Sequence, residues 1–175
     1  MTGKGHTLVG IVSTIGLYHF TKNEVSNDLI LISIGIITFI LGSTAPDWME
    51  IRKSNGGTVI NHRTWTHWIL PWIALFAISG SHSSIGLIDS NTFDFINLNI
   101  SNIIDKNINF AIFCFSLGGL VHLITDLPNP MGIPVPTPYH RFSLKLWKSG
   151  KFEPAICFVF LGMNLIYADI VSLNF

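Results

Sequence analysis

Long apolar segments constrain this chain more than any other feature of its sequence. Hydrophobic residues make up 49% of its 175 residues and charged residues only 11%, whereas a soluble domain carries about 25% charged residues. A helix needs about 20 apolar residues to cross a bilayer, and five segments approach or reach that length. They predict an all-α fold: a polytopic membrane bundle of four to five transmembrane helices, forming one domain over residues 1–175. The five segments are His6–Phe20, Leu29–Ala45, Thr66–Ile88, Ile108–Thr125 and Ala155–Ser172.

The distribution of basic residues predicts how such a bundle is inserted. With five spans, eight of the ten Lys and Arg residues fall on one side of the membrane, and Lys22 and Lys106 fall on the other. Cytoplasmic loops hold the excess of Lys and Arg, so the N-terminus is expected in the cytoplasm. The loops after the second and fourth spans are expected there too. The second of these loops is rich in proline over Pro128–Pro138, which excludes a helix.

The span ends on that same side carry ionisable residues, and the clearest pair is His122 and Asp126. Four residues apart on a helix, their side chains lie on one face and can bind one divalent metal together. The alternative is a His–Asp hydrogen bond that only fixes helix packing. Within a membrane, however, ionisable residues are costly and are candidates for function. Gly118 and Gly119, one turn earlier, are expected to let another helix approach closely.

Two histidines and an arginine open the third span. On a helix starting here, Arg63 and His67 share a face at a spacing of four, and His62 lies where a loop can aim it inward. A metal ligand beside a guanidinium suits phosphate chemistry, because the metal polarises a phosphoryl oxygen while Arg binds charge through a planar fork. The alternative is that Arg63 only follows the basic bias of cytoplasmic loops and that His67 reaches towards the interface.

Asp47 closes the second span. Pro46 is expected to end the helix there and leave Asp47 at the membrane mouth. A carboxylate in that place can bridge metals or act as a general base; equally, it can be a helix-end carboxylate that faces water. His6 starts the first span and is either a further ligand or a structural residue. A second tier of candidates consists of Glu50, Thr66 and His140.

Together these residues predict a membrane-embedded metal site. Imidazole and carboxylate donors suit zinc, manganese or iron, and the lack of cysteine in these motifs argues against a structural zinc finger. One or two divalent ions are expected, zinc or manganese first. A formal net charge of zero gives no electrostatic case for nucleic acid. The predicted partners are membrane lipids, which surround the apolar spans. The predicted ligands are His6, Asp47, His67, His122 and Asp126, and the predicted catalytic residues are Asp47, His62 and Arg63.

These motifs, in this order, resemble the YdjM-like family, whose members are described as inner-membrane, metal-dependent hydrolases, some under LexA (DNA-damage) control. The resemblance implies a bacterial inner-membrane location, and the distribution of basic residues predicts that the metal site lies on the cytoplasmic side. The family often has a second aspartate two residues after the first. Here that place is Met49, so Glu50 would have to supply the carboxylate. The matching stretches are Gly5–His6, Ala45–Asp47, His62–His67, Gly119–Asp126 and Pro130–Pro134.

The function that these observations favour is metal-dependent hydrolysis of a phosphoester in a lipid or lipid-linked headgroup. Metal-activated water would attack the phosphorus, and Arg63 would stabilise the charge of the transition state. The proline-rich loop and Trp147 would position the headgroup. Two other classes stay open: a non-catalytic membrane protein that binds or transports metal, and a structural membrane subunit whose His and Asp residues pair with one another.

Overall fold

The computed structural model describes residues 1–25, 28–50, 63–82 and 106–173. Over these residues the chain forms five helices and one small antiparallel sheet of two strands. The all-α class predicted from the sequence is thereby confirmed. In chain order the elements are α1 Gly3–Val25, α2 Leu29–Trp48, α3 Ile69–His82, α4 Lys106–Asp126, β1 Ile133–Pro134, β2 Arg141–Phe142 and α5 Glu153–Leu173.

Three of the described helices are long and apolar enough to cross a membrane. They contain the stretches Leu29–Trp48, Asn107–Asp126 and Glu153–Ile170. α1 has 23 residues, but glycine, hydroxyl and charged side chains interrupt its apolar ones. α3 is a shorter apolar helix, and the predicted end of the third span, residues 83–88, lies outside the described residues. The predicted number of four to five spans is therefore approximate.

Two consecutive glycines in α4 set the spacing of the bundle. Gly118 lies against the backbone of α2, where an added Cβ would clash with the carbonyl oxygen of Phe39. Gly119 lies against the indole ring of Trp72 in α3, which an added Cβ would also meet. Small residues let membrane helices approach closely in this way. The sequence predicted one close neighbour for these glycines, and the structure gives each glycine its own.

Two apolar clusters divide the interior of the bundle. The first, which we call the middle layer, contains Leu17, Phe39, Phe110, Phe113 and Cys114. The second cluster joins α2, α3 and α4 to β1, and it contains Ala45, Trp72, Leu123 and Ile133. Through Ile133, the proline-rich segment packs onto the end of the bundle where α2 and α4 end and α3 begins. That segment is not helical, as predicted.

Two prolines behave differently from the sequence-based expectation. Pro46 does not end α2, which continues to Trp48, because a proline removes one backbone hydrogen bond without preventing the next residues from staying helical. The third helix was expected from Thr66 but begins at Ile69. Pro71 therefore lies in the first turn, where its missing N–H would have had no partner within the helix. A proline in this position requires no kink in the helix.

We predict that Gly118→Ala destabilises the bundle, because the new Cβ has no room beside the Phe39 carbonyl oxygen. Overpacking of this kind typically costs about 1–3 kcal/mol, which would lower the midpoint of thermal unfolding in detergent. Gly162→Ala is the matched control, since a Cβ there meets nothing within 4 Å and alanine favours a helix. An unchanged midpoint for Gly118→Ala would contradict the close approach of α2 to α4.

Candidate metal centre

The carboxylate of Asp126, the last residue of α4, is completely buried at the end of the bundle. Its Oδ2 lies 2.8 Å from Nη2 of Arg63. Its Oδ1 lies against the amino group of Met1 and accepts a hydrogen bond of 2.7 Å from Nδ2 of Asn129. Burying a charge is costly unless it is paired and hydrogen-bonded. These three partners, from separate segments, supply that compensation.

Three imidazole nitrogens face the same carboxylate. His6 Nε2 is 3.4 Å from Oδ1 of Asp126, while Nε2 of His122 and Nε2 of His67 are 3.6 and 3.7 Å from Oδ2. All three histidines are buried. His6 lies in the first turn of α1, His67 in the turn before α3, and His122 one turn from the end of α4. Segments far apart in the sequence therefore bring their imidazoles to one place.

Asp47, in the last turn of α2, completes the group, which we call the His–Asp cluster. Its Oδ1 lies 3.4 Å from Nε2 of His67 and 3.8 Å from Nε2 of His122. Unlike Asp126, its side chain is 30% exposed. Within the part of the chain that the structure describes, two overlapping sets of three residues could each hold a metal, their ligand atoms lying within 4.8 Å of one another. The sets are His6, Asp47, His122 and His67, His122, Asp126.

The hydrogen bonds at Nδ1 indicate which nitrogen of His6 and of His122 is left to bind a metal. Nδ1 of His122 lies 2.8 Å from the carbonyl oxygen of Ser43. A carbonyl oxygen can only accept, so Nδ1 carries the proton and Nε2 keeps its lone pair. The Thr125 hydroxyl donates to the His122 carbonyl oxygen and so accepts from Nδ1 of His6 at 3.0 Å. Nε2 of His6 therefore also keeps its lone pair, the arrangement usual in metal-bound histidines.

Two of the second-tier candidates, Thr66 and Glu50, contact His67 at Nδ1. Its Nδ1 lies 3.0 Å from Oγ1 of Thr66 and 3.5 Å from Oε1 of Glu50. The same Glu50 oxygen accepts a hydrogen bond of 2.8 Å from the backbone N–H of Arg63. Glu50 thus lies on the far side of the His67 ring from Asp47 and Asp126, where it orients the ring and orders the turn before α3.

The spacing of the donor atoms fits a divalent metal. Donors about 2.0–2.1 Å from a tetrahedral ion lie about 3.3 Å from one another. Nε2 of His67 lies 3.3 Å from Nε2 of His122, and the distances from these nitrogens to the carboxylate oxygens of Asp47 and Asp126 run from 3.4 to 3.8 Å. Acceptor atoms at such distances repel one another unless a proton or a cation lies between them.

Unsatisfied buried atoms support the same fit. Nε2 of His6 and Oδ2 of Asp126 are buried and make no well-aligned hydrogen bond, although the latter is ion-paired with Arg63. Buried polar atoms are normally hydrogen-bonded, and each exception calls for an explanation. A bound cation would satisfy both atoms at once.

Arg63 reaches Asp126 from a turn and not from a helix. Residues 63–67 precede α3, so the predicted helical face shared by Arg63 and His67 was wrong. The two residues still meet at Asp126, because the turn brings both side chains to the same carboxylate. Arg63 has a φ of 57°, a left-handed conformation that is unfavourable for a non-glycine residue. The hydrogen bond from its backbone N–H to Glu50 and its buried ion pair with Asp126 stabilise this conformation.

An open cleft of about 770 Å³ adjoins the His–Asp cluster. Asp47, Glu50 and Arg63 line it, together with Asn129 and Lys148 from the chain that follows α4. Its volume lies in the range of about 300–1,000 Å³ that is usual for ligand sites. The cleft offers two cationic side chains and a partly exposed carboxylate next to the donor atoms. An anionic group entering it would meet these charges together.

Other sequence-based candidates lie elsewhere. His62 is outside the described residues. His140 is exposed, its Nδ1 lies 2.7 Å from Oγ1 of Thr137, and it does not line the cleft. Trp147 lines an apolar groove next to the cleft and not the cleft itself. The expected contact of Trp147 with a headgroup stays a prediction.

Two residues of the site were missed by the sequence-based reasoning. Thr125 accepts from His6, and Asn129 donates to Asp126. Thr125 lies three residues after His122, and Asn129 lies three residues after Asp126. Helical spacing from His122 could have found Thr125, whereas Asn129 lies in the turn after α4, for which the helical pattern gave no signal.

The chain matches a known protein family over nearly its whole length. The family model described as YdjM inner membrane protein matches residues 1–171. No curated protein and no solved structure gives a significant match. The matched residues include the whole His–Asp cluster and the cleft.

We predict that Thr125→Val weakens metal binding about 10- to 100-fold, the usual effect of losing the partner of a metal-bound histidine. Valine keeps the shape but removes the oxygen that accepts from Nδ1 of His6. Zinc affinity would be measured by competition with a chromophoric chelator. Thr14→Val is the control, since the Thr14 hydroxyl donates to the Ile11 carbonyl within the same helix. Equal affinities of the two variants would contradict the role given to Thr125.

Proposed function

The chain belongs to the YdjM inner membrane protein family, and from its His–Asp cluster we propose that it is a membrane-bound, metal-dependent hydrolase. Its substrate is a phosphoester in a lipid or lipid-linked headgroup. One observation carries the proposal: three imidazole Nε2 atoms converge on two carboxylates beside an open cleft. Each imidazole has a partner at Nδ1 that orients it.

The donor set favours zinc or manganese. The ion would be held by side chains of the His–Asp cluster, with one or two ions served by the two overlapping sets of three. Imidazole and carboxylate donors without thiolate suit these metals, and the buried Cys114 belongs to the apolar middle layer. When bound, such an ion polarises a phosphoryl oxygen and activates water as a nucleophile near neutral pH.

The chain's own residues divide the remaining tasks. Asp47 is the partly exposed carboxylate at the cleft, so it is placed to accept a proton from an attacking water. Arg63 lines the same cleft, and its ion pair with Asp126 engages Nη2. A guanidinium has five N–H donors, which leaves others to bind a phosphoryl oxygen as charge develops. Lys148 adds a second positive charge to the cleft lining.

The apolar middle layer favours a hydrolase over a metal transporter. An ion that crosses a membrane needs polar groups along its route. The described middle layer offers Leu17, Phe39 and Phe113. The buried polar side chains described around it are hydroxyls and an amide, and His19 is only partly buried, with Nδ1 shielded. The His–Asp cluster therefore opens to one end of the bundle, as a site for chemistry at the membrane surface does.

We expect the purified protein, loaded with zinc or manganese, to cleave a chromogenic phosphodiester. His122→Ala is expected to lower both the bound metal and the rate by at least about 100-fold, because His122 belongs to both sets of three. Metal would be measured by elemental analysis and cleavage by absorbance. His140→Ala, at an exposed histidine outside the cluster, is the control. Full metal content in His122→Ala, or no cleavage by the loaded wild-type protein, would refute the proposal.

The Arg63→Lys variant tests whether Arg63 acts through its planar guanidinium or only through its positive charge. Lysine keeps a positive charge near Asp126 but loses the planar fork, so kcat/KM is expected to fall about 100-fold while the metal content stays the same. Arg141→Lys is the control, because Arg141 is exposed on β2 and does not line the cleft. If kcat/KM of Arg63→Lys equalled that of the control, Arg63 would be a structural partner of Asp126 and not a catalytic residue.

A further inference from the structure

A second cavity lies beside the cleft. This apolar groove, of about 660 Å³, is bounded by the end of α4, by Leu146 and Trp147, and by the start of α5. Among its lining residues, Ile124, Leu146, Phe152 and Val159 are all more than half exposed. Exposed apolar surface of this kind marks a site that binds an apolar partner, such as a lipid chain. Its volume lies in the range of about 300–1,000 Å³ typical of ligand sites.

The apolar groove and the cleft share one thin wall. Pro128 lines the groove and its neighbour Asn129 lines the cleft; likewise Trp147 lines the groove and Lys148 lines the cleft. The two segments are joined, since the backbone N–H of Leu146 donates to the Pro128 carbonyl oxygen at 2.9 Å. Adjacent residues thus face the two cavities, which are separated by little more than the width of the backbone. A molecule with a polar and an apolar part can straddle this wall.

The apolar groove also lies next to the His–Asp cluster. Thr125 lines the groove, and its hydroxyl is the group that accepts from Nδ1 of His6 at 3.0 Å. The groove therefore ends one side chain away from a candidate metal ligand. A chain lying in it would be continuous with a reacting group in the cleft.

The wall between the two cavities carries an unpaired donor and positive charge. Nε1 of Trp147 is buried without a hydrogen-bond partner, and an unpaired indole N–H is unfavourable. An ester or phosphate oxygen next to a hydrocarbon chain would accept from it. Lys145, Lys148 and Lys151 flank Trp147 and are exposed, so the rim attracts anionic headgroups. The apolar groove and its rim are thus complementary to an anionic amphiphile.

We propose that the substrate is an anionic lipid whose phosphate binds in the cleft and one of whose hydrocarbon chains lies in the apolar groove. This inference rests on the proposed hydrolase function and adds a binding site for the apolar part of the substrate. Each buried methylene strengthens binding, so KM falls as the chain of the substrate lengthens. The groove, and not only the headgroup, then selects the substrate.

The test compares two substrates that have the same leaving group, ethyl p-nitrophenyl phosphate and dodecyl p-nitrophenyl phosphate. The metal-loaded, full-length protein is assayed at a fixed detergent concentration. Wild type is expected to prefer the dodecyl substrate by at least about 10-fold in kcat/KM. Ala155→Trp, which fills the apolar groove, is expected to reduce that preference by about 10-fold. Ala168→Trp, also on α5 but away from the groove, is the matched control.

A second variant covers the case in which Ala155→Trp fails to fold. Ile156→Ala removes apolar surface from the lining of the groove without touching the cleft, and it is expected to reduce the dodecyl preference by about 3-fold or more. Equal cleavage of the two substrates by wild type would overturn the chain-binding site and leave the hydrolase intact. So would a dodecyl preference that neither variant changes, because the chain would then bind elsewhere. Failure to cleave either substrate would overturn the proposed function itself.

Discussion

The buried charge of Asp126 is the constraint on which the rest of the site depends. A carboxylate with no exposed surface at the end of a membrane bundle needs several partners at once. Arg63, the amino group of Met1 and Asn129 meet that need, and they come from three separate segments. The ends of α1 and α4 and the turn before α3 are thus tied together by a single side chain. The three imidazoles that face Asp126 belong to those same segments, so the contacts of this carboxylate also fix their positions.

Helix packing supplies the other half of the site. Because Gly118 lets α2 approach α4 so closely, the Ser43 carbonyl oxygen reaches Nδ1 of His122. One turn further along α2, Asp47 comes within 3.8 Å of Nε2 of the same imidazole. A larger residue at position 118 would separate these groups while leaving every one of them in the sequence. The chemistry of the cluster is therefore decided in part by residues that touch no ligand.

Some of this arrangement could be predicted from the sequence, and some could not. The alternation of apolar spans placed His6, Asp47 and Asp126 at one end of a bundle, and helical spacing paired His122 with Asp126. The left-handed turn at Arg63 had no such periodic signal, so a helix was predicted there wrongly. The hydrogen-bond partners of the imidazoles at Nδ1, such as the Ser43 carbonyl oxygen, depend on how two helices pack against each other. The spacing of residues within one segment gives no information on that packing.

The distance along the chain between His6 and Thr125 has a consequence for biogenesis. These two residues, 119 positions apart, share a hydrogen bond, so the pocket cannot close until the fourth helix has left the ribosome. At typical bacterial rates of synthesis that interval is on the order of ten seconds. Throughout it, the imidazole of His6 lacks the Thr125 hydroxyl that accepts from its Nδ1. Closure of the His–Asp cluster is thus a late event, which follows the synthesis of the first four helices.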